Sequence, residues 1–309
     1  MFLDFLLKPC SFLFIIFFTY FLKKIGLFKK ELSLIVLKIL MNITLPATVV
    51  TVFATFERDF SLCLLILLGL GAALGPYLLM YFLTRKLDKG TRACYMISGS
   101  GFNIGCYGLP IIQAFYGSVG GIISILFDIG NSIMMTSGNY AFTVALLNTE
   151  EKRDKIHIGE VAKKFFQSVS VDTYLLLLIL ALLGIRIPQV VADFVNPIAS
   201  ANAFLAMFML GLLFSPPSKK QDWKHMIRIL VFRYAIMACL SVLCFLFLPF
   251  SLEIRRIVVL LLLCPIGSMA PAFVEKCHGD GELAAFTNSV STTISLIVMT
   301  VLAGYFGVN

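Results

Sequence analysis

The chain has 309 residues, of which 59% are hydrophobic and 14% charged, with a mean hydropathy of +0.95. Ordinary globular domains carry about a quarter charged residues. This composition therefore excludes disorder, and it excludes a soluble domain, which could not hide so much apolar surface. The net charge of +8 lies in short loops between apolar runs rather than on a basic and aromatic stripe, which argues against nucleic acid and fits orientation in a membrane.

Residues 1–22 are apolar, but Asp4 and Lys8 interrupt the start and no A-x-A cleavage pattern follows. Lys23, Lys24, Lys29 and Lys30 come next. Positive charge behind a span holds that side in the cytoplasm, so the run reads as a retained helix with its N-terminus outside. Further apolar runs give the spans 4–22, 32–54, 61–84, 92–115, 118–147, 170–185, 190–214, 227–248, 255–275 and 282–305. Most approach the length of about 20 residues that a bilayer requires. The expected fold is an all-α polytopic membrane protein of ten transmembrane helices. Loops after the odd-numbered spans hold eighteen Lys and Arg, and the opposite side holds five. That asymmetry places both termini outside.

Two five-helix halves follow, 1–148 and 165–309, joined by a cytoplasmic linker at 149–164. An odd number of spans gives the halves opposite orientation, which is the inverted repeat of many transporters. The eight cysteines form no C-x-x-C pair and read as small buried hydrophobes. His157, His225 and His278 fall in or near loops and form no metal cluster, so no metal site is expected.

Span 4 contains Ser98-Gly-Ser-Gly-Phe-Asn-Ile-Gly-Cys-Tyr-Gly-Leu-Pro110, and span 9 contains Cys264-Pro-Ile-Gly-Ser-Met-Ala-Pro271. Proline removes a backbone donor, and glycine adds backbone freedom. Backbone groups freed at membrane depth cannot face lipid, so they must line an enclosed or watery site. Interrupted helices at matching places of two halves point to a transporter site. Half-helices are expected to begin near Pro110 and Pro271, with both N-termini near the midplane. Two such ends favour an anion such as a carboxylate. Asn103 and Ser268 could donate from their side chains. Gly99-Ser-Gly101 starts like a dinucleotide fingerprint, but the third glycine and the preceding strand are missing.

At these residues the sequence resembles the auxin efflux carrier family, within the bile acid/sodium symporter-like superfamily. The resemblance rests on Asn103-Ile-Gly-Cys-Tyr-Gly-Leu-Pro110 with Tyr116-Gly117, on Phe127-Asp-Ile-Gly-Asn131, on Asn42-Ile-Thr-Leu-Pro46, and on the Pro271 region with Glu282-Leu-Ala-Ala285. It covers essentially the whole chain. It implies a scaffold of spans 1, 2, 6 and 7 and a transport domain of spans 3–5 and 8–10, with broken helices 4 and 9 crossing. It also implies organic-anion substrates and a homodimer joined through the scaffold. By that pattern Asn103 would contact substrate, and Pro110 and Pro271 would form the crossover. The candidate substrate-binding residues are therefore Asn103, Gly105, Pro110, Asn131, Ser268 and Pro271. Plant members keep acidic and basic side chains in span 3. Here Ser61 to Thr84 carries no charge, which argues against auxin; the resemblance to bacterial members implies dicarboxylates such as malate or malonate.

Intramembrane charge is costly and points to function. Asp128 could take a proton, help hold sodium, orient Asn131 or bond a neighbouring helix. Lys38 and Arg233 sit about two turns inside their spans, where snorkelling to the interface explains both; drawing in substrate anions is the sharper alternative. Asn288 and Thr292 belong to a polar run in span 10 that glues helices together or lends the site a ligand. Gly69, Gly71 and Gly75 form a small-residue face for close packing. The Phe-rich first span faces lipid or a partner subunit.

The expected function is a secondary transporter of a small organic anion in the plasma membrane, with no cofactor and with sodium or a proton as coupling ion. A channel would need a polar or charged lining, and a sensor could use the same pocket. An enzyme would need a nucleophile with a base, and the spans offer one deep acid and no histidine.

Overall fold

The computed structural model describes residues 2–29, 31–56, 59–149, 159, 163, 165–214 and 222–308. Lys30, Arg58, His157, Lys219, Lys220 and most of the expected 149–164 linker lie outside the described residues. Among the described residues all regular structure is helical.

Helix α1 (Phe2–Lys24) ends on two lysines. Lys23 donates to the carbonyls of Leu212 at 2.7 Å and Phe214 at 2.5 Å. Helix α2 (Leu32–Ile39) passes through a π turn (Leu40–Thr44) into α3 (Leu45–Phe53). Pro46 explains the wide turn: it cannot donate to the turn before it, and its ring crowds that turn. Helix α4 (Leu64–Leu83) follows a 3-10 turn (Phe60–Cys63) capped by Asp59, which accepts from the Ser61 amide at 2.8 Å. Helix α5 (Lys89–Gly99) is capped by Asp88, whose carboxylate accepts from the Thr91 amide at 2.9 Å. That bond holds the Asp88 carboxyl below the usual range.

The chain leaves the helix after Gly99. Ser100 is extended, and Gly101 takes φ +65°. A π turn (Ile104–Gly108) opens α6 (Leu109–Ile133), which bends at Gly117 with φ 56°. Another π turn (Met134–Gly138) leads into α7 (Asn139–Leu147). The second half holds α8 (Val169–Leu182), α9 (Gln189–Leu213) and α10 (Asp222–Phe247). It closes with α11 (Leu252–Leu262), the short α12 (Ala270–Lys276) and α13 (Gly281–Val308).

Six stretches are long and apolar enough to cross a bilayer: Leu32–Phe53, Phe60–Leu83, Ile104–Leu147, Gln189–Leu213, Trp223–Phe247 and Gly281–Gly307. The chain is a multi-pass helical membrane protein. Ile104–Leu147 is 44 residues long, about twice what a bilayer needs, and Gly117 divides it. The left-handed φ there suits glycine alone among common residues.

The helices pack in two groups. In one, α1 lies on α9, α9 on α2 and α3, and α3 on α8. In the other, α4 lies against α5 and α6, α10 against α11 and α13, and α5 against α7, α10, α12 and α13. Within the first group the Thr44 hydroxyl donates to Asn202 Oδ1 at 2.9 Å, and the Ser170 hydroxyl bonds the Met41 carbonyl. In the second, α4 and α6 meet at backbone distance. A Cβ on Gly130 would strike the Ile66 carbonyl oxygen, and one on Gly69 the Phe127 carbonyl oxygen. Close packing is thus the role of Gly69. Gly71 and Gly75, expected on the same face, have nothing within 4 Å of an added Cβ. Phe14, Phe17, Phe18 and Phe21 of α1 are exposed, as the sequence predicts for a face turned to lipid or a partner.

Candidate functional site

Two interruptions lie side by side. The first spans residues 100–103. The second lies between α11 and α12, and the Asn103 amide donates to the Pro265 carbonyl there at 3.0 Å. The last carbonyls of α5 and α11 have no continuing helix to bond them and need donors from elsewhere.

Side chains of neighbouring helices supply them. Arg233 of α10 is fully buried. It donates to the Gly101 carbonyl at 2.8 Å, to Cys264 at 3.1 Å, and to Ser98 and Ser100 at 3.4 Å each. Its guanidinium lies 5.1 Å from the centre of the Phe102 ring. This corrects the snorkelling expectation for Arg233; Lys38 is exposed. Asn131 of α6 grips the same segment at Phe102. Its Oδ1 accepts from the Phe102 amide at 3.0 Å, and its Nδ2 donates to the Phe102 carbonyl at 2.9 Å and to Asp128 Oδ1 at 2.8 Å. The second Asp128 oxygen accepts from the Tyr174 hydroxyl of α8 at 3.2 Å. The Ser100 hydroxyl donates to the Ala73 carbonyl at 2.8 Å and lies 3.1 Å from Asn139 Oδ1.

The helix that restarts at Ile104 makes its first intrahelical bond from the Gly108 amide to the Asn103 carbonyl, at 3.0 Å. The amides before Gly108 in that turn therefore have no intrahelical partner. Asn103 stands at its head without a side-chain cap, 6% exposed, and its Nδ2 has no partner among the described residues. In front lies a cavity of about 280 Å³, lined by Asn103, Gly105, Asp128, Asn131, Tyr174 and Ser268 among others. Gly105 makes the room. A Cβ there would come within 2.9 Å of Leu45 Cδ2, 3.3 Å of the Tyr174 hydroxyl and 3.5 Å of Asp128 Oδ2. Gly105→Ala is expected to reduce transport at least tenfold while leaving thermal stability nearly unchanged, because the neighbours are side-chain ends that can shift. Initial uptake rate and melting midpoint, measured on the same preparation, check this.

The cavity brings together Asn103, Gly105, Asp128, Asn131 and Ser268 of the predicted residues. It leaves others out. Pro110 lines a separate cavity of about 400 Å³ with Gln113 and Asn196. The break precedes Pro110: the half-helix starts at Ile104, and proline only widens the turn before it, as at Pro46. Pro271 does open α12. That helix has seven residues, too short for a strong dipole, so the expected pair of positive helix ends reduces to the one headed by Asn103. Pro271, Asn288 and Thr292 line a third cavity of about 950 Å³, which shares Leu37, Ser268 and Met269 with the first. Thr292 spends its hydroxyl on the Asn288 carbonyl at 2.9 Å, and its own carbonyl accepts from Tyr107 at 3.1 Å. Asn288 donates to the Gly267 carbonyl at 3.3 Å. Both residues tie neighbouring elements to α13.

Sequence reasoning missed Tyr174, Met135 and the role of Arg233. Tyr174 sits in an ordinary apolar run with nothing to mark it. Met135 fills the space left by both break glycines, since an added Cβ on Gly101 or Gly267 would meet its side chain. Arg233 had one available signal: arginine rather than lysine offers a planar fork of donors, which broken-helix carbonyls require.

A multi-pass helical protein whose interrupted helices line a cavity carrying a few polar side chains is built as a transporter. A family model described as "Membrane transport protein" matches residues 8–307. The chain belongs to that family, the auxin efflux carriers. It is similar to "Uncharacterized transporter YfdV" of Escherichia coli strain K12, and to proteins of that name in Escherichia coli O157:H7 and Shigella flexneri, each 29% identical over 184 residues. The match spans 57% of this chain and 57% of each relative.

Proposed function

We propose that the chain carries a small carboxylate, of malate or malonate kind, across the plasma membrane by alternating access. The observation that supports this most is the buried, unpartnered Asn103 amide. It stands at a helix start whose first amides precede the first intrahelical bond, and Ile104, Gly105 and Cys106 of that start line the cavity of about 280 Å³; that combination suits a carboxylate. Ten spans in two inverted halves, with both termini extracytoplasmic, remain our reading of the topology. The division of packing supports a scaffold of α1–α3, α8 and α9 and a transport domain of the rest. The exposed phenylalanines of α1 suit a homodimer joined through that scaffold. Asp128 shares the cavity and is our choice for coupling to a proton or sodium.

Thermal stability against a panel of mono- and dicarboxylates, with and without sodium, tests the reading, because a ligand of the folded state raises apparent stability by mass action. A dicarboxylate is expected to raise the midpoint of the wild type and not of Asn103→Ala, whose unliganded midpoint stays close to wild type. An equal ligand shift in the variant would remove Asn103 from the site. If no anion produced a shift, the carboxylate reading would fail.

A further inference from the structure

We propose that Arg233 occupies the place of a bound monovalent cation at the crossing of the two breaks, so that the chain carries its cation there on a side chain. This does not rest on the carboxylate reading.

The argument begins with charge. A buried cation is tolerated only with compensation. No carboxylate pairs with Arg233 among the described residues. Its compensation is four main-chain carbonyls, of Ser98, Ser100, Gly101 and Cys264. These lie at the C-terminal ends of α5 and α11, each of 11 residues. A helix C-terminus carries about half a negative charge, so two of them sum to about one, which a single guanidinium balances. The Phe102 ring adds its negative face from 5.1 Å.

Such a set is unusual for arginine, whose fork matches carboxylates and phosphates. Converging carbonyl oxygens are the ligands that a hydrated alkali cation exchanges for its water. The geometry therefore reads as a cation site whose occupant is tethered. Arg233 acts as a positioning residue. It neutralises the negative helix ends and leaves the amides beside Asn103 as the exposed polarity of the crossing. A second consequence is that any sodium the protein uses must bind away from these carbonyls.

Chemical rescue tests this on the purified full chain. Arg233→Ala should melt well below wild type in choline chloride. Methylguanidinium at millimolar concentration should recover much of that loss, and sodium part of it, while neither raises the wild type to the same extent. Recovery by sodium specific to the variant supports a vacated cation site; recovery by methylguanidinium alone, which would refill the cavity of any structural arginine, overturns it. A folded variant indifferent to all three cations overturns the proposal. If Arg233→Ala fails to accumulate in the membrane, Arg233→Lys and Arg233→Gln decide the matter. Lys keeps the charge, and Gln keeps donors without it. Accumulation of the Lys variant alone supports a required charge, and any other result overturns it.

Discussion

Asn131→Ala is expected to lower the stability of the purified protein by about 3 kcal/mol or more. The variant leaves three buried groups without their partner: the Phe102 amide, the Phe102 carbonyl and Asp128 Oδ1. Each abandoned polar group costs about 1–3 kcal/mol. Water admitted to the vacated space returns part of that. The exposed Asn42 provides the contrast, since its side chain bonds only the Lys38 carbonyl of its own helical stretch, at 2.8 Å. Asn42→Ala should stay within about 0.5 kcal/mol of wild type. Thermal unfolding in detergent separates the two, and equal midpoints would show that the amide grip on Phe102 contributes nothing. Transport should fall with Asn131→Ala even where the protein survives, because Phe102 adjoins Asn103 and the cavity.

Gly130→Ala is the second large effect. The added methyl falls on the Ile66 carbonyl oxygen and 2.7 Å from the Leu70 amide nitrogen. Both are backbone atoms of α4, and backbone within a helix cannot rotate away. The helices must part, and overpacking of this kind typically costs about 1–3 kcal/mol, with the upper end expected where both obstacles are main chain. Gly69→Ala attacks the same interface from the other helix, so the double variant should cost less than the sum. Gly71→Ala meets open space and should be neutral or stabilising by up to about 1 kcal/mol through helix propensity. The amount of folded protein recovered from membranes and the melting midpoint read out all three. Matching behaviour of Gly71→Ala and Gly130→Ala would refute the close-contact account.

Features that act along the chain were legible in the sequence. Apolar runs marked the spanning stretches, and glycines with proline at membrane depth marked both breaks. Asn103, Gly105, Asp128, Asn131 and Ser268 met in one cavity because they lie in or beside those breaks or one turn apart on a helix. The errors came from reading proline as the breaker. In both α3 and α6 the chain accommodates proline with a π turn, and the actual break before α6 follows Gly99, where Gly101 takes a positive φ. Arg233 was misread for a different reason. Its partners are main-chain carbonyls more than a hundred residues away in the case of Ser98, Ser100 and Gly101, and a carbonyl has no residue type to recognise. Tyr174 escaped for another cause: its partner Asp128 was recognisable, but their tie exists only once α8 lies against α6.

The bonds described for the crossing stay almost wholly inside one packed group. Arg233, Asn131, Asn139, Ala73, Asn288 and Pro265 all belong to α4–α7 and α10–α13 or the segments between them. Among the described residues two bonds reach across: Tyr174 donates to Asp128 at 3.2 Å, and the Cys106 thiol makes a weak contact with the Met41 sulfur at 3.6 Å. Displacing one group past the other would therefore rupture one ordinary hydrogen bond of the crossing, a loss of about 0.5–1.5 kcal/mol, and one weak sulfur contact. The rest of the work would be the exchange of apolar side-chain contacts. In mechanical terms, the boundary is a greased bearing with one latch, and that latch closes on the same carboxylate that lines the cavity.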